Sequence, residues 1–165
     1  MRGNERGFSL IELIVAMVII GILSYVVVAK FGQTPERVQF ASIAQKIVGD
    51  VRYAREMAYS THVGTRVYMD VQNNRYYLKW ETGAYLTNPL GGGDFVVQLG
   101  QGNFYAVKLT GTSLTGGRLD FDGSGKPLNS GAPFSGTLTL VTLNNTKRVV
   151  VTANTGLLRI EDIQE

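Results

Sequence analysis

The N-terminal apolar run constrains this chain more than any other feature. Between Phe8 and Phe31 only Ser9, Glu12, Ser24 and Lys30 interrupt a hydrophobic sequence. A membrane-spanning helix needs about 20 mainly apolar residues, and this run supplies them. A chain of 165 residues is too small to wrap such a helix on every side, so the segment is expected to enter a membrane. Arg2 and Arg6 precede it, which places the N-terminus in the cytoplasm and the rest of the chain outside. A secretory signal would be followed by a small-residue cleavage site, and none follows here. The polar-to-apolar boundary falls instead at Gly7–Phe8. Cleavage there would keep the apolar helix in the mature protein.

Glu12 is the anomaly in this run. A carboxylate in a bilayer helix costs about 2–3 kcal/mol on insertion scales. It lies four residues past Phe8, about 6 Å along a helix that rises 1.5 Å per residue. That depth softens the cost without removing it. One reading is a side chain reaching back to the interface. The other is that Glu12 meets a cation. If the chain is cut at Gly7–Phe8, the new α-amine of Phe8 is such a cation, and pairing between neighbouring subunits would neutralise both charges.

The stretch Gly7-Phe8-Ser9-Leu10-Ile11-Glu12-Leu13 resembles the processing motif shared by type IV pilins and the pseudopilins of type II secretion. The resemblance implies cleavage after Gly7 and N-methylation of Phe8 by a prepilin peptidase. It also implies that Glu12 is the assembly glutamate. Expected partners are then that peptidase, other pilin or pseudopilin subunits, the inner membrane and its assembly platform.

After Lys30 the pattern changes. Pro35 marks a kink or a helix restart, with Thr34 as a cap. Phe40, Ala44, Ile47, Val48, Val51, Ala54 and Ala58 then recur at spacings of three and four, an amphipathic helix with one buried stripe. The intervening charges read as a solvated face, with Asp50–Arg55 and Arg52–Glu56 placed for weak surface pairing. From about residue 63 the chain turns to short strands. Residues 65–71 and 75–81 alternate around the turn signal Asn73–Asn74 and predict a β-hairpin. Strands are also expected at 95–99, 104–109, 118–121 and 157–160, with a second hairpin from 137–143 and 148–153. Residues 83–94 read as a loop. The expected organisation is a leader over 1–7, a transmembrane assembly helix over 8–31, its amphipathic continuation over 32–62, and an antiparallel β-sheet domain over 63–165. The fold class is α+β.

Residues 48–61, the Asp122-Gly123-Ser124-Gly125 region and residues 148–160 are similar to the pattern of the GspH/FimT pseudopilins. That resemblance implies a pilin-like fold and a minor subunit of a type II secretion pseudopilus or a type IV pilus, at or near the tip. Some FimT-type minor pilins take up DNA through basic residues near the C-terminus, so Lys147, Arg148 and Arg159 are the DNA-binding candidates here. The stretch around Arg159 departs from that pattern, since Glu161 and Asp162 follow the single arginine. Tyr53, Tyr59, Tyr68, Tyr76, Tyr77 and Trp80 are of the type that stacks on bases, and alternating aromatics are also ordinary strand packing.

The sequence offers little to catalysis. It contains no cysteine, which removes thiolate chemistry, disulfides and cysteine-ligated metals. His62 is the lone histidine and falls at the expected helix end, where a cap or an exposed position suits it. Asp120-Phe121-Asp122-Gly123-Ser124 resembles the opening of a calcium loop, but Gly131 stands where the bidentate glutamate belongs. The triple glycine at 91–93 lacks the lysine and serine of a phosphate loop. The chain is expected to be no enzyme and to carry no cofactor or metal.

Overall fold

The computed structural model describes residues 10–30 and 35–163. Helix α1 spans Leu10–Lys30 and helix α2 spans Pro35–Thr61. Among the described residues nine strands follow: β1 Thr65–Asp70, β2 Arg75–Trp80, β3 Val96–Gln98, β4 Leu109–Gly111, β5 Arg118–Phe121, β6 Pro127–Asn129, β7 Thr137–Leu143, β8 Lys147–Thr152 and β9 Leu158–Asp162. The chain divides into two compact units, Met1–Pro35 and Glu36–Glu165.

In the first unit, α1 leaves its large apolar side chains uncovered: Leu10 is 77% exposed and Met17 67%. Among the described residues no helix is long and apolar enough to cross a membrane. The sequence reads residues 8–31 as such a span, and Phe8, Ser9 and Phe31 lie outside the described residues. Over all 21 residues the helix is about 31 Å long, the thickness of a hydrocarbon core.

Helix α2, which belongs to the second unit from Glu36 onward, opens on Pro35. Proline suits a first helical position, where its missing N–H would have no partner anyway. Thr34, the expected cap, lies outside the described residues. The expected stripe is buried from Phe40 to Ala58, with Ile43 added to it. The helix ends where His62 takes a left-handed φ of 56°, the usual stop after a helix C-terminus. Thr61 Oγ1 donates to the Met57 carbonyl at 2.6 Å and ties down the last turn.

The strands form two antiparallel sheets, one ordered β3-β2-β1-β5-β6 and the other β4-β7-β8-β9. Sequence patterning does not divide strands between sheets. One buried cluster joins the α2 stripe to Val67, Leu78 and Leu119 of the first sheet and to Leu140, Leu143 and Val149 of the second. Full burial of each such side chain contributes about 1.5–3 kcal/mol. Both expected hairpins form, β1–β2 and β7–β8. The loop at 83–94 is anchored by Leu86, which is fully buried and whose N–H donates to the Leu78 carbonyl at 3.0 Å.

One expected strand does not form. Residues 104–109 hold a single 3₁₀ turn at Gly102–Phe104 and an irregular stretch before β4. Side chains stand in for a strand partner there. Asn144 accepts from the Lys108 N–H at 2.6 Å and donates to the Ala106 carbonyl at 2.8 Å. Asn74 donates to the Val107 carbonyl at 3.1 Å and accepts from the Leu109 N–H at 2.8 Å. With its backbone groups satisfied in this way, the segment needs no ladder.

Candidate functional site

Two of the N-terminal site residues, Gly7 and Phe8, lie outside the described residues. Glu12 is in the first turn of α1. The dipole at a helix N-terminus favours a carboxylate in that turn. Leu10, Ile11, Leu13 and Ile14 surround it in sequence and are each more than half exposed, so the carboxylate sits on an apolar helix with open flanks.

The C-terminal basic residues come together on the β8–β9 pair, and all of them are ion-paired. Lys147 pairs with Asp162, Arg148 Nε with Glu161 at 2.8 Å, and Arg159 Nη2 with the same Glu161 at 3.1 Å. Three cations against two carboxylates leave one positive charge, which is little for a phosphate backbone. The aromatics disperse as well. Tyr76 is buried and donates to Asp50 Oδ2 at 2.5 Å. Burial, with the Asp50 charge beside it, raises its pKa and keeps the hydroxyl protonated. Tyr53 stacks on Phe95 with centroids 5.8 Å apart, and Tyr68 stacks on Tyr77 at 4.9 Å. Their faces are partly used on one another.

The Asp120 and Asp122 carboxylates serve local structure. Asp122 Oδ1 accepts from the backbone N–H groups of Ser124 and Lys126, each at 2.9 Å, and so shapes the turn. Asp120 Oδ1 lies 2.9 Å from Arg118 Nε, yet that N–H is not aimed at it and Oδ1 has no hydrogen bond. Among the described residues no group of three or more His, Cys, Asp or Glu side chains is placed to hold a metal ion. His62 sits at the exposed helix end, its Nδ1 3.3 Å from the Gly123 carbonyl.

The α2 surface pairing expected from sequence is rearranged. Asp50 pairs with Lys46 at 2.6 Å and with Tyr76, not with Arg55. Among the described ion pairs there is no Arg52–Glu56 contact. Arg52 and Arg55 instead line a cleft of about 490 Å³ with Tyr59, Ser124 and Leu157. Charge type alone does not separate a groove arginine from a solvated one. The three-residue step from Arg52 to Arg55 and the four-residue step to Tyr59 were the available signal, since they put all three on one helix face.

The geometry therefore presents an apolar helix with one carboxylate near its start, and a separate α+β unit built on an amphipathic helix. Residues 2–24 match the family model of the prokaryotic N-terminal methylation motif. Residues 44–156, from α2 to the turn before β9, match the model of the type II transport protein GspH. The chain belongs to the GspH family. No curated protein and no solved structure matched it. As a GspH-family member it is a pilin-like subunit of type II secretion or type IV pili. Its methylation motif implies processing by prepilin peptidase and assembly with other pilin subunits. The family is one of structural subunits, anchored at the inner membrane before they join a filament.

Proposed function

We propose that this chain is a minor subunit that is cut after Gly7, methylated on Phe8, and held by α1 as a single inner-membrane span with its N-terminus cytoplasmic. From there the assembly platform draws it into a periplasmic or surface filament, where the family reading as a minor subunit favours a place at or near the tip. One observation carries the reading: α1 is apolar except for Ser24, the terminal Lys30 and a carboxylate in its first turn, and that turn lies within the segment that matches the methylation motif. Unpaired, that carboxylate costs about 2–3 kcal/mol in the bilayer. Pairing with the α-amine of a neighbour's processed first residue removes the penalty and sets axial register.

The full chain carrying Glu12→Ala is expected to be cut after Gly7 and to fold, yet to be lost from sheared filaments. Recovery of the variant in filaments at wild-type level would refute the pairing. N-terminal sequencing of the membrane-extracted wild type should begin at Phe8, and any other start refutes the processing step. The DNA-uptake alternative draws little support from Lys147, Arg148 and Arg159, whose three charges are reduced to one by Glu161 and Asp162.

A further inference from the structure

The cleft beside α2 is a built site. Arg55 Nε donates to the Gly125 carbonyl at 3.0 Å. Gly125 and Gly156, both with left-handed φ, close on the side chain from two turns. A Cβ added at either would stand 3.5–3.6 Å from Arg55 atoms. The guanidinium is thus held in place by backbone, while its two Nη groups have no hydrogen bond among the described residues. A planar fork fixed by its Nε presents its remaining N–H groups as a ready match for a carboxylate. Arg52 stands one turn earlier in the same cleft, and Tyr59 and Ser124 add hydroxyls. Glu56 is the one acid in the lining, so the cleft keeps a net positive charge.

The cleft continues along the helix. A second hollow of about 400 Å³ shares Arg52 and Leu158 with the first and is lined further by Val48, Gly49 and Ile160. Its lining mixes the aliphatic Val48, Leu158 and Ile160 with the polar Gln45 and Arg52, and Gly49 lies among them. A glycine inside a helix costs about 1 kcal/mol relative to alanine. Among the described residues, apart from its chain neighbours and the backbone of its own helix, nothing lies within 4 Å of where a Gly49 Cβ would stand. The cost is accounted for if another chain comes close at that point.

We propose that this groove docks an adjacent filament subunit through a carboxylate gripped by Arg52 and Arg55, with the apolar flank of the same segment lying over Gly49, Leu158 and Ile160. Charge complementarity selects the occupant: two arginines beside the aliphatic side chains of Leu157, Leu158 and Ile160 fit an acidic residue flanked by apolar ones on a segment of protein. The proposal rests on the filament-subunit reading.

The test has two arms on the full chain. In detergent micelles, arginine ¹⁵Nε–H resonances are followed while sodium pentanoate, a carboxylate with a short apolar tail, is added. Saturable shifts of Arg52 and Arg55 are expected, with no response to n-pentanol. Arg52→Gln should weaken binding about tenfold, the effect of losing one charge-assisted hydrogen bond of about 1.4 kcal/mol. Arg52 is the first choice because Arg55 also holds the Gly125 turn. Absence of shifts, or equal shifts with inorganic phosphate, overturns the carboxylate site. In cells, Arg52→Glu and Gly49→Leu should each reduce filament incorporation at least severalfold while leaving cleavage after Gly7 intact. If Glu12→Ala blocks incorporation and these two do not, the subunit reading stands and the groove proposal falls.

Discussion

Asn74 and Asn144 each combine a backbone role with a side-chain role. Both hold left-handed φ values, 49° and 47°, which asparagine tolerates better than most residues. Both turn their amides onto the irregular stretch before β4. Asn144→Ala removes two hydrogen bonds and leaves the Lys108 N–H and the Ala106 carbonyl to find water. The expected loss is about 2 kcal/mol, from penalties of about 1–3 kcal/mol for a stranded polar group. Asn145→Ala is the control, because Asn145 shares the left-handed φ (55°) but has no side-chain hydrogen bond among the described residues. Chemical denaturation that finds the two variants equal would refute the bridging role. Asp70 and Asp120 give an opposed pair at the same scale. Hydrogen bonds from Asn73, and then Arg75, hold the Asp70 carboxyl below its ordinary 3.8. Its contribution is therefore present above that value and lost as pH falls through the lowered one. Burial pushes Asp120 above 3.8, with Arg118 and Arg66 offsetting it only in part. Its folded state favours the protonated form, so its penalty is absent at low pH and sets in as pH rises through the raised value. Asp70→Asn should flatten the acid limb of the stability–pH curve, and Asp120→Asn should steepen it. Unfolding measured from pH 2.5 to 7 would contradict this if both variants bent the curve the same way.

At the scale of elements, what was legible in the sequence follows from how local the controlling force is. The α2 stripe is legible because a period near 3.6 is set by one buried face, and Ile43 escaped only because it flanks the counted positions. The β1–β2 and β7–β8 hairpins are legible because alternation and asparagine turns lie within a few residues of each other. Residues 104–109 carry a strand-like composition, yet Asn74 and Asn144, each more than thirty residues distant in sequence, satisfy their backbone. That arrangement leaves no local trace. β6 is three residues long and is held by pairing with β5, not by any pattern of its own. The same contrast applies to the candidate sites. Glu12 is conspicuous because a carboxylate breaks an apolar run. The spacing of Arg52, Arg55 and Tyr59 puts them on one helix face, as a solvated face would also have, and only the turns at Gly125 and Gly156, brought from the β-sheet region, make a cleft of them.

At the scale of the whole molecule, the two units have opposite needs. Every member of the buried core, from Phe40 to Leu158, belongs to the unit Glu36–Glu165. In the unit Met1–Pro35, Leu10, Ile11 and Met17 are 67–77% exposed. Apolar surface on that scale is stable in water only when covered by lipid or by other chains. Residues 36–165 alone should therefore unfold in one cooperative, concentration-independent transition and sediment as a monomer without detergent. The full chain should need detergent to stay dispersed, and in it should unfold with the same denaturant slope, since that slope follows the surface exposed by the common core. A truncated unit that binds hydrophobic dye and lacks near-ultraviolet circular dichroism would mean that α1 supplies packing the core depends on, and the division of labour between anchor and folded unit would have to be abandoned.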